Sequence, residues 1–500
     1  MIKRALISVY NKDNIVDFAR FLTTKGVEII STSGTAKLLK GEGIEITDVS
    51  NITQFKEILA GRVKTLHPTI MGGILARRRD QLKELDELGI KPIDMVVVNL
   101  YPFLDVINRG ASLEEALENI DIGGVTLMRA SAKNFLDVVI VTDPSDYRLI
   151  RDEWESKGEI TLETRRKLAV KAFSITSKYD AAISNYLSVE SFPEHFLLSG
   201  EKTINLRYGE NPHQRASGYK VSGPSVLGAI QIHGKELSYN NILDLDVAWA
   251  IARSFEKPCA CIIKHNTPCG VAVSDNPLDA FNKAWQADPV SAYGSIIGLN
   301  RKLGKDVAEA IDPYFVECII CPEITEDAID LLKHKKNLRI LVHPEFYELP
   351  KGLEIKGIQG GFLVEEWDLE DVKNFEVVTQ TQLDEELKED LIFAFKVVKF
   401  VKSNAIVVAK GGKTLGICGG QPNRIDSVRL AIARAGKEVE GAVLASDGFF
   451  PFSDSVEEAG KVGIKAIIQP GGSIRDKEVI ESAERYHISM VFTGIRHFRH

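Results

Sequence analysis

Arg4-Ala-Leu-Ile-Ser-Val-Tyr10, the run Asn14 to Thr24, and Val27-Glu-Ile-Ile-Ser-Thr32 together decide the fold class of the first part of the chain. The first run reads as a strand. Ile15, Phe18, Ala19 and Leu22 then recur at helical spacing, the pattern stops at Gly26, and a second strand follows. Working outward, Met95 to Leu100 is an unbroken apolar run that predicts a buried strand. Ser112-Leu-Glu-Glu115 predicts a capping box opening a helix to Glu118, and Asp137 to Thr142 predicts a strand closed by Pro144. Strands alternating with helices imply an α/β domain, a parallel doubly wound sheet with helices on both faces.

Helical patterns at Ser145 to Glu155 and Leu162 to Leu187 lead into Ser191-Phe-Pro-Glu-His195 and a polar stretch to Asn205. The domain boundary is placed there, giving domains 1–195 and 196–500. The alternation then restarts, with helix Asn241 to Phe255, strand Cys259 to Ile263, helix Leu278 to Ala287, strand Ser295 to Leu299 and helix Lys305 to Ile311. A long helix, Asp384 to Val401, opens a second series that ends in strand Ser489 to Thr493. Two similar blocks, near 240 to 320 and 385 to 495, suggest a duplication without a strict repeat.

The 500 residues carry a net charge of -8 with no basic block, and 44% of them are hydrophobic. That balance argues for a globular protein and against a nucleic-acid or anionic-membrane partner. No apolar run approaches the roughly 20 residues of a membrane span. No cleavable signal is read at the start, so a cytoplasmic location is expected. All six cysteines (259, 261, 269, 318, 321 and 418) fall in the second half, mostly inside apolar strands, as buried thiols in a reducing compartment would. Cys318-Ile-Ile-Cys321 lies within the strand-like Tyr314 to Cys321, without a second pair or a following helix, so neither a zinc nor a redox site is read there.

Chemistry concentrates where apolar runs end. Lys264-His265-Asn266-Thr267-Pro268-Cys269-Gly270 sets a cation beside an imidazole just after Cys259 to Ile263. Histidine titrates near neutrality and can act as a base, while lysine can hold an oxyanion or return a proton, so the pair points to acyl or proton transfer. In the first domain, Ser8 to Lys12, Thr32-Ser33-Gly34-Thr35, Asn99-Leu100-Tyr101-Pro102 and Ile120-Asp121-Ile122-Gly123-Gly124 all stand at strand ends or helix starts, with Lys133 further on. Hydroxyls and backbone N–H groups before a helix form a phosphate cradle, although the same residues also serve as simple caps. Arg62-Val-Lys64-Thr65-Leu66-His67-Pro68 places two cations together, which favours an anion. Neither a Walker A sequence nor GxGxxG is present, so ATP-driven chemistry and dinucleotide binding are disfavoured.

In the second domain Arg207-Tyr208 sits in a turn-rich segment, Lys402-Ser403-Asn404 precedes a strand, and Arg424 starts a helix. Ser446-Asp-Gly-Phe-Phe-Pro-Phe-Ser-Asp454 offers either a wall for a flat heteroaromatic ring or ordinary core packing. Arg496 to His500, taken alone, reads as a frayed basic tail.

These strings resemble those of the bifunctional purine-biosynthesis family that joins 5-aminoimidazole-4-carboxamide ribonucleotide (AICAR) transformylase to inosine monophosphate (IMP) cyclohydrolase. SGTA at 33 to 36, GRVKTLHP at 61 to 68, NLYPF at 99 to 103, DIGGVTL at 121 to 127, LRYGENPHQ at 206 to 214, GKELSYNN at 234 to 241, KHNTPCGVA at 264 to 272 and SDGFFPF at 446 to 452 carry the likeness nearly end to end. The resemblance implies a methylglyoxal-synthase-like cyclohydrolase domain over 1–195 and a transformylase over 196–500 built from two cytidine-deaminase-like subdomains. The zinc signature of deaminases is missing, so no catalytic metal is expected, and the need for a monovalent cation is left open.

By the same resemblance, His265, Lys264 and Asn404 carry out formyl transfer from 10-formyltetrahydrofolate to AICAR. Arg207, Tyr208 and Arg496 would face phosphate and ribose; Phe449, Gly294, Glu317 and His500 the base and carboxamide; Arg424, Phe452 and Asp454 the folate. Lys64, Tyr101, Asp121 and Lys133 would close the ring of the formamido product, FAICAR. Ser8, Lys12, Thr32, Ser33, Gly34, Thr35, Arg62, Thr65 and Asn99 would form the nucleotide cradle. A homodimer with shared transformylase sites is implied. A nucleotide sensor is the competing class, and the proton-transfer groups Lys64, Asp121, Lys133, Lys264 and His265 weigh against it.

Overall fold

Five parallel strands, β1 (Arg4–Ser8), β2 (Glu28–Ser31), β3 (Thr47–Asp48), β4 (Met95–Val98) and β5 (Val139–Val141), pair in the order β3-β2-β1-β4-β5. The computed structural model describes residues 2–221, 223–372 and 374–500, without the side chains of Ser33 and Ala60. The chain divides into two compact units, Met1–Ser199 and Gly200–His500, and this sheet belongs to the first.

Crossover helices supply Ile15, Phe18, Leu22, Leu127, Met128 and Leu168 to one core with the strands. Because the chain leaves β1 in one direction for β2 and β3, and in the other for β4 and β5, a crevice is expected at the C-terminal ends of β1 and β4. Ser112 accepts the N–H of Glu115 at 3.2 Å, but the carboxylate of Glu115 pairs with Arg109. The expected capping box is therefore a single-sided cap.

The second unit has a twelve-stranded mixed sheet whose strand order exposes a duplication. Across it run Ile230–His233, Arg339–Val342, Val316–Cys321, Ser295–Leu299, Cys259–Lys264 and Thr267–Val273, then Lys413–Cys418, Ile406–Lys410, Val443–Ser446, Ala466–Gln469, Ser489–Phe492 and Glu376–Val377. Each half follows one plan, a long helix, a two-stranded hairpin, and three helix–strand units. The long helices Tyr239–Arg253 and Glu385–Val398 pack together in one cluster on one face, with Leu245, Ala248 and Trp249 beside Leu391, Phe395 and Val398. The remaining helices form two separate clusters, one per half.

The inner strands of the two hairpins meet antiparallel at Ala272 and Lys413, joined by Thr414 Oγ1, which donates to Val271 O at 3.2 Å and accepts Val271 N at 3.0 Å. Gly270 and Gly416 hold equivalent places on these strands. A Cβ at either would lie 2.0 Å from a helix carbonyl, Ala284 O or Ala431 O, so both halves need glycine to seat a helix this closely.

Thr267–Val273 is a strand that the Pro-Cys-Gly sequence does not announce; a bulge between Pro268 and Gly270 accommodates the proline. Cys318 and Cys321, three apart on one strand, face opposite sides and enter different clusters. Burial pushes both thiols upward, Cys321 to about 12. No helix among the described residues is long and apolar enough to cross a membrane.

Candidate active sites

In the first unit the C-terminal ends of the strands gather a polar group. Ser8 Oγ and Thr32 Oγ1 are 2.9 Å apart, and Thr35 Oγ1 accepts Val9 N at 3.2 Å and donates to Val9 O at 3.1 Å. Thr32 precedes helix Ser33–Gly41 and makes no side-chain cap, and a Cβ at Gly34 would meet nothing within 4 Å. The helix start is therefore open to an anion. Lys12 donates to Val9 O and Tyr10 O at 3.1 and 3.3 Å. Asn99 is spent on the main chain of Tyr10 and Asn11, at 2.6 to 3.0 Å. Ser33 lies outside the described side chains. A cavity of about 530 Å³ opens beside this group, lined by Tyr10, Asn11, Asn99, Leu100 and Pro102 among others.

Asp121 sits just before helix Gly123–Lys133, with Oδ1 accepting Gly124 N at 2.6 Å and its own N–H donated to Tyr179 Oη at 2.9 Å. Burial raises its pKa above the usual carboxylate range, while the N–H groups of Gly124 and Tyr101 and the charge of Lys64 pull the other way. Tyr101 is also raised, first by burial and then by the negative charges of Asp121 and Glu57, so its phenol stays a proton donor at neutral pH. Lys64 Nζ lies 3.9 Å from Glu57, and buried Thr65 faces Gly123, whose Cβ would stand 3.3 Å from Thr65 Oγ1.

Lys64, Thr65, Tyr101 and Asp121 thus converge. Lys133 does not join them; it is exposed at the far end of its helix, about 15 Å of helix rise from Gly123. Arg62 is paired with Glu118 on the surface. Tyr179, which sequence reasoning missed, bridges Asn119 O and Asp121 N at 2.9 Å each.

In the second unit Lys264, His265, Asn266 and Thr267 form the tip of a hairpin. His265 and Asn266 both take left-handed backbone conformations, φ 53° and 59°, as a two-residue reverse turn of this hand requires. His265 is exposed, and Lys264 Nζ donates to Tyr293 O at 2.7 Å. An ammonium has three donors, so one bond orients it without exhausting it. Gly294, φ 72°, follows Tyr293 and lies against Phe315. Glu317 accepts Asn241 Nδ2 at 2.9 Å and stands 3.7 Å from Arg339.

The antiparallel pairing of the two inner strands places Asn404, just ahead of Ile406–Lys410, on the same sheet edge as this tip. Asn404 Nδ2 donates to Gln421 O at 3.0 Å and Pro422 O at 3.2 Å. Phe449 and Phe452 are exposed beyond Val443–Ser446, and Arg475 lies 4.6 Å over the Phe452 ring.

Family models match both parts of the chain. The MGS-like domain matches residues 14–126 and the AICARFT/IMPCHase bienzyme model matches residues 131–434. The bifunctional purine biosynthesis protein PurH of Clostridium botulinum (strain Kyoto / Type A2) is 51% identical over 504 residues, covering 100% of both chains. The chain belongs to the AICARFT/IMPCHase bienzyme family. The PurH protein of Caldicellulosiruptor bescii is 52% identical over 515 residues, again with 100% coverage of both. The crystal structure of ForH aligns with 36% of this chain and 95% of its own, at 36% identity and a TM-score of 0.33.

Within this bienzyme architecture several expected ligand groups have other partners. Arg424 is buried, donating to Ser446 Oγ at 2.8 Å, pairing with the fully buried Asp447, and holding Asn404 Oδ1 at 2.8 Å. These bonds use three of its five N–H donors, and the guanidinium seats Asn404. Ser403 Oγ bonds the other oxygen of Asp447. Arg207 stacks on Tyr208 at 4.7 Å, beyond a hairpin formed by Glu201–Leu206 and Ala216–Lys220. At the C-terminus Arg496 stacks on Phe498 at 4.4 Å, His497 is buried against Asp368 at 2.6 Å, and His500 O accepts Lys356 Nζ at 3.0 Å. The tail is tied down rather than frayed. Asp454 opens helix Asp454–Lys461 and accepts Ser455 N at 2.7 Å.

Proposed function

We propose that the second unit transfers the formyl group and the first closes the ring, the two activities of the bienzyme family. The hairpin tip carries this reading, because it presents an exposed imidazole beside an oriented ammonium on the sheet edge that also holds Asn404. The 5-amino group of AICAR is a poor nucleophile, its lone pair being delocalised into the ring. His265 takes a proton from it as the new N–C bond forms to the formyl carbon. Lys264 steadies the oxygen of that carbon and returns a proton to the folate nitrogen as the old C–N bond breaks. Asn404, seated by Arg424, orients the formyl oxygen. 10-Formyltetrahydrofolate is the donor; exposed Phe452 and Phe449 offer flat faces for its ring.

In the first unit the carboxamide nitrogen of FAICAR attacks the formyl carbon and water leaves. Tyr101, held as a phenol, and Lys64 polarise the formyl oxygen, and Asp121, whose burial favours its protonated form, passes a proton toward the departing water. The open start of helix Ser33–Gly41 with Ser8, Thr32, Thr35 and Thr65 cradles the phosphate end. Lys133 takes no part within one chain in this arrangement. A cytoplasmic homodimer is the assembly this reading favours.

Purified protein given AICAR and 10-formyltetrahydrofolate is expected to make IMP. Lys264→Ala should slow formyl transfer by about 10²- to 10³-fold while ring closure of supplied FAICAR continues, and Lys64→Ala should let FAICAR accumulate. IMP formation at the normal rate by both variants would overturn the assignment.

A further inference from the structure

The duplicated halves share a device that the catalytic reading does not use. Asp244 is the sixth residue of helix Tyr239–Arg253, and its Oδ1 accepts Asn266 N at 2.5 Å at the tip that carries His265. Asp390 is the sixth residue of helix Glu385–Val398, and its carboxylate accepts Gly411 N and Gly412 N, both at 2.8 Å, at the corresponding tip of the other hairpin. A carboxylate under a left-handed turn is thus part of the scaffold in both halves. Only in the first half does the turn carry an imidazole.

We propose that Asp244 is a positioning residue for formyl transfer, its carboxylate fixing the backbone of the turn that presents the His265 imidazole. This rests on His265 being the base. The carboxyl of Asp244 is raised by burial, and the turn N–H groups and the charge of His265 act against that rise. Other groups face this spot. Glu317 on Val316–Cys321 adds negative charge beside Asp244, and Arg339 on the next strand stands 3.7 Å from Glu317. Asn241, on the helix of Asp244, bonds Glu317; the buried thiol of Cys318 lies within electrostatic reach of Asp244; and Lys264 is anchored on Tyr293 O. At the Gly411–Gly412 tip sheet register sets Lys465 in place of Glu317 and Ser489 in place of Arg339.

The test compares four variants by kcat and KM for formyl transfer, with ring closure of supplied FAICAR as an internal check on folding. Asp244→Ala removes the acceptor beneath the turn, so kcat should fall at least about tenfold with the KM for AICAR little changed, because the imidazole is mis-set while the substrate still binds. Asp244→Asn keeps an acceptor for Asn266 N and should restore most of that kcat. Asp390→Ala should leave both constants unchanged. His265→Ala tests the underlying reading, and retained transfer there would overturn that reading. Loss of transfer in His265→Ala with an unchanged kcat in Asp244→Ala would overturn the role of Asp244 alone. An equal loss of kcat in Asp390→Ala would do the same.

Discussion

The two hairpin tips of the second unit are the same construction put to different ends. Lys264 donates to Tyr293 O at 2.7 Å, and Lys410 donates to Glu440 O at 2.8 Å. Each acceptor is followed by a glycine with positive φ, Gly294 at 72° and Gly441 at 78°. Between the lysine and the returning strand stand His265-Asn266 in one half and Gly411-Gly412 in the other. Glycine is the relaxed choice for left-handed backbone, while a side chain there costs about 1 kcal/mol or more per residue. The first half keeps the strained option, and it is the one with an imidazole to present.

Converting the first tip into the second is the severest way to break this contrast. His265→Gly with Asn266→Gly should lower formyl transfer by about 10²- to 10⁴-fold, the range for losing a general base. Ring closure should be untouched, and relief of strain should raise the melting midpoint by about 2 °C. A stabilised protein that still transferred formyl at the parental rate would erase the contrast.

The paired lysines give a smaller effect. Lys264→Ala should reduce formyl transfer by about 10²- to 10³-fold, as losing an oxyanion donor does. Lys410→Ala should cost only its hydrogen bond, about 1 kcal/mol of stability at most, with steady-state rates unchanged. Equal kinetic losses would mean that the tips are not functionally distinct.

The smallest effect asks whether the first unit also trades stability for function. Burial raises the pKa of Asp121, so the folded state favours its protonated form; that contribution is complete below the ordinary carboxyl range and is lost as pH rises through the folded value. Asp121→Asn keeps the acceptor for Gly124 N and removes the buried charge. It should slow ring closure and raise the melting midpoint at pH 8 by a few degrees, about 2 to 4 °C per kcal/mol, with no gain at about pH 4. Thermal melts at the two pH values decide it.

The sequence announces some of this and conceals the rest for identifiable reasons. Periodicity alone shows the strand–helix–strand opening of the first unit, since Ile15, Phe18 and Leu22 all reach the core. The strand Thr267–Val273 is hidden because Pro268, Cys269 and Gly270 read as a turn, and only pairing with Cys259–Lys264 makes them extended. Lys264, His265 and Asn404 are legible as strand-end chemistry, whereas Asp244 belongs to a helix and meets the turn only through tertiary packing. Arg424 is legible only as a cation at a helix start, and nothing nearby in sequence reveals that Asp447 is buried against it.

The inner strands of both hairpins lie side by side, and the two long helices above them share one apolar cluster. With the cluster shared in this way neither half has a core of its own on that face, so the half whose turn lacks an imidazole also braces the turn that presents one. Damage introduced around Gly411 and Gly412 would reach the opposite tip as lost cooperativity, far from any bound molecule.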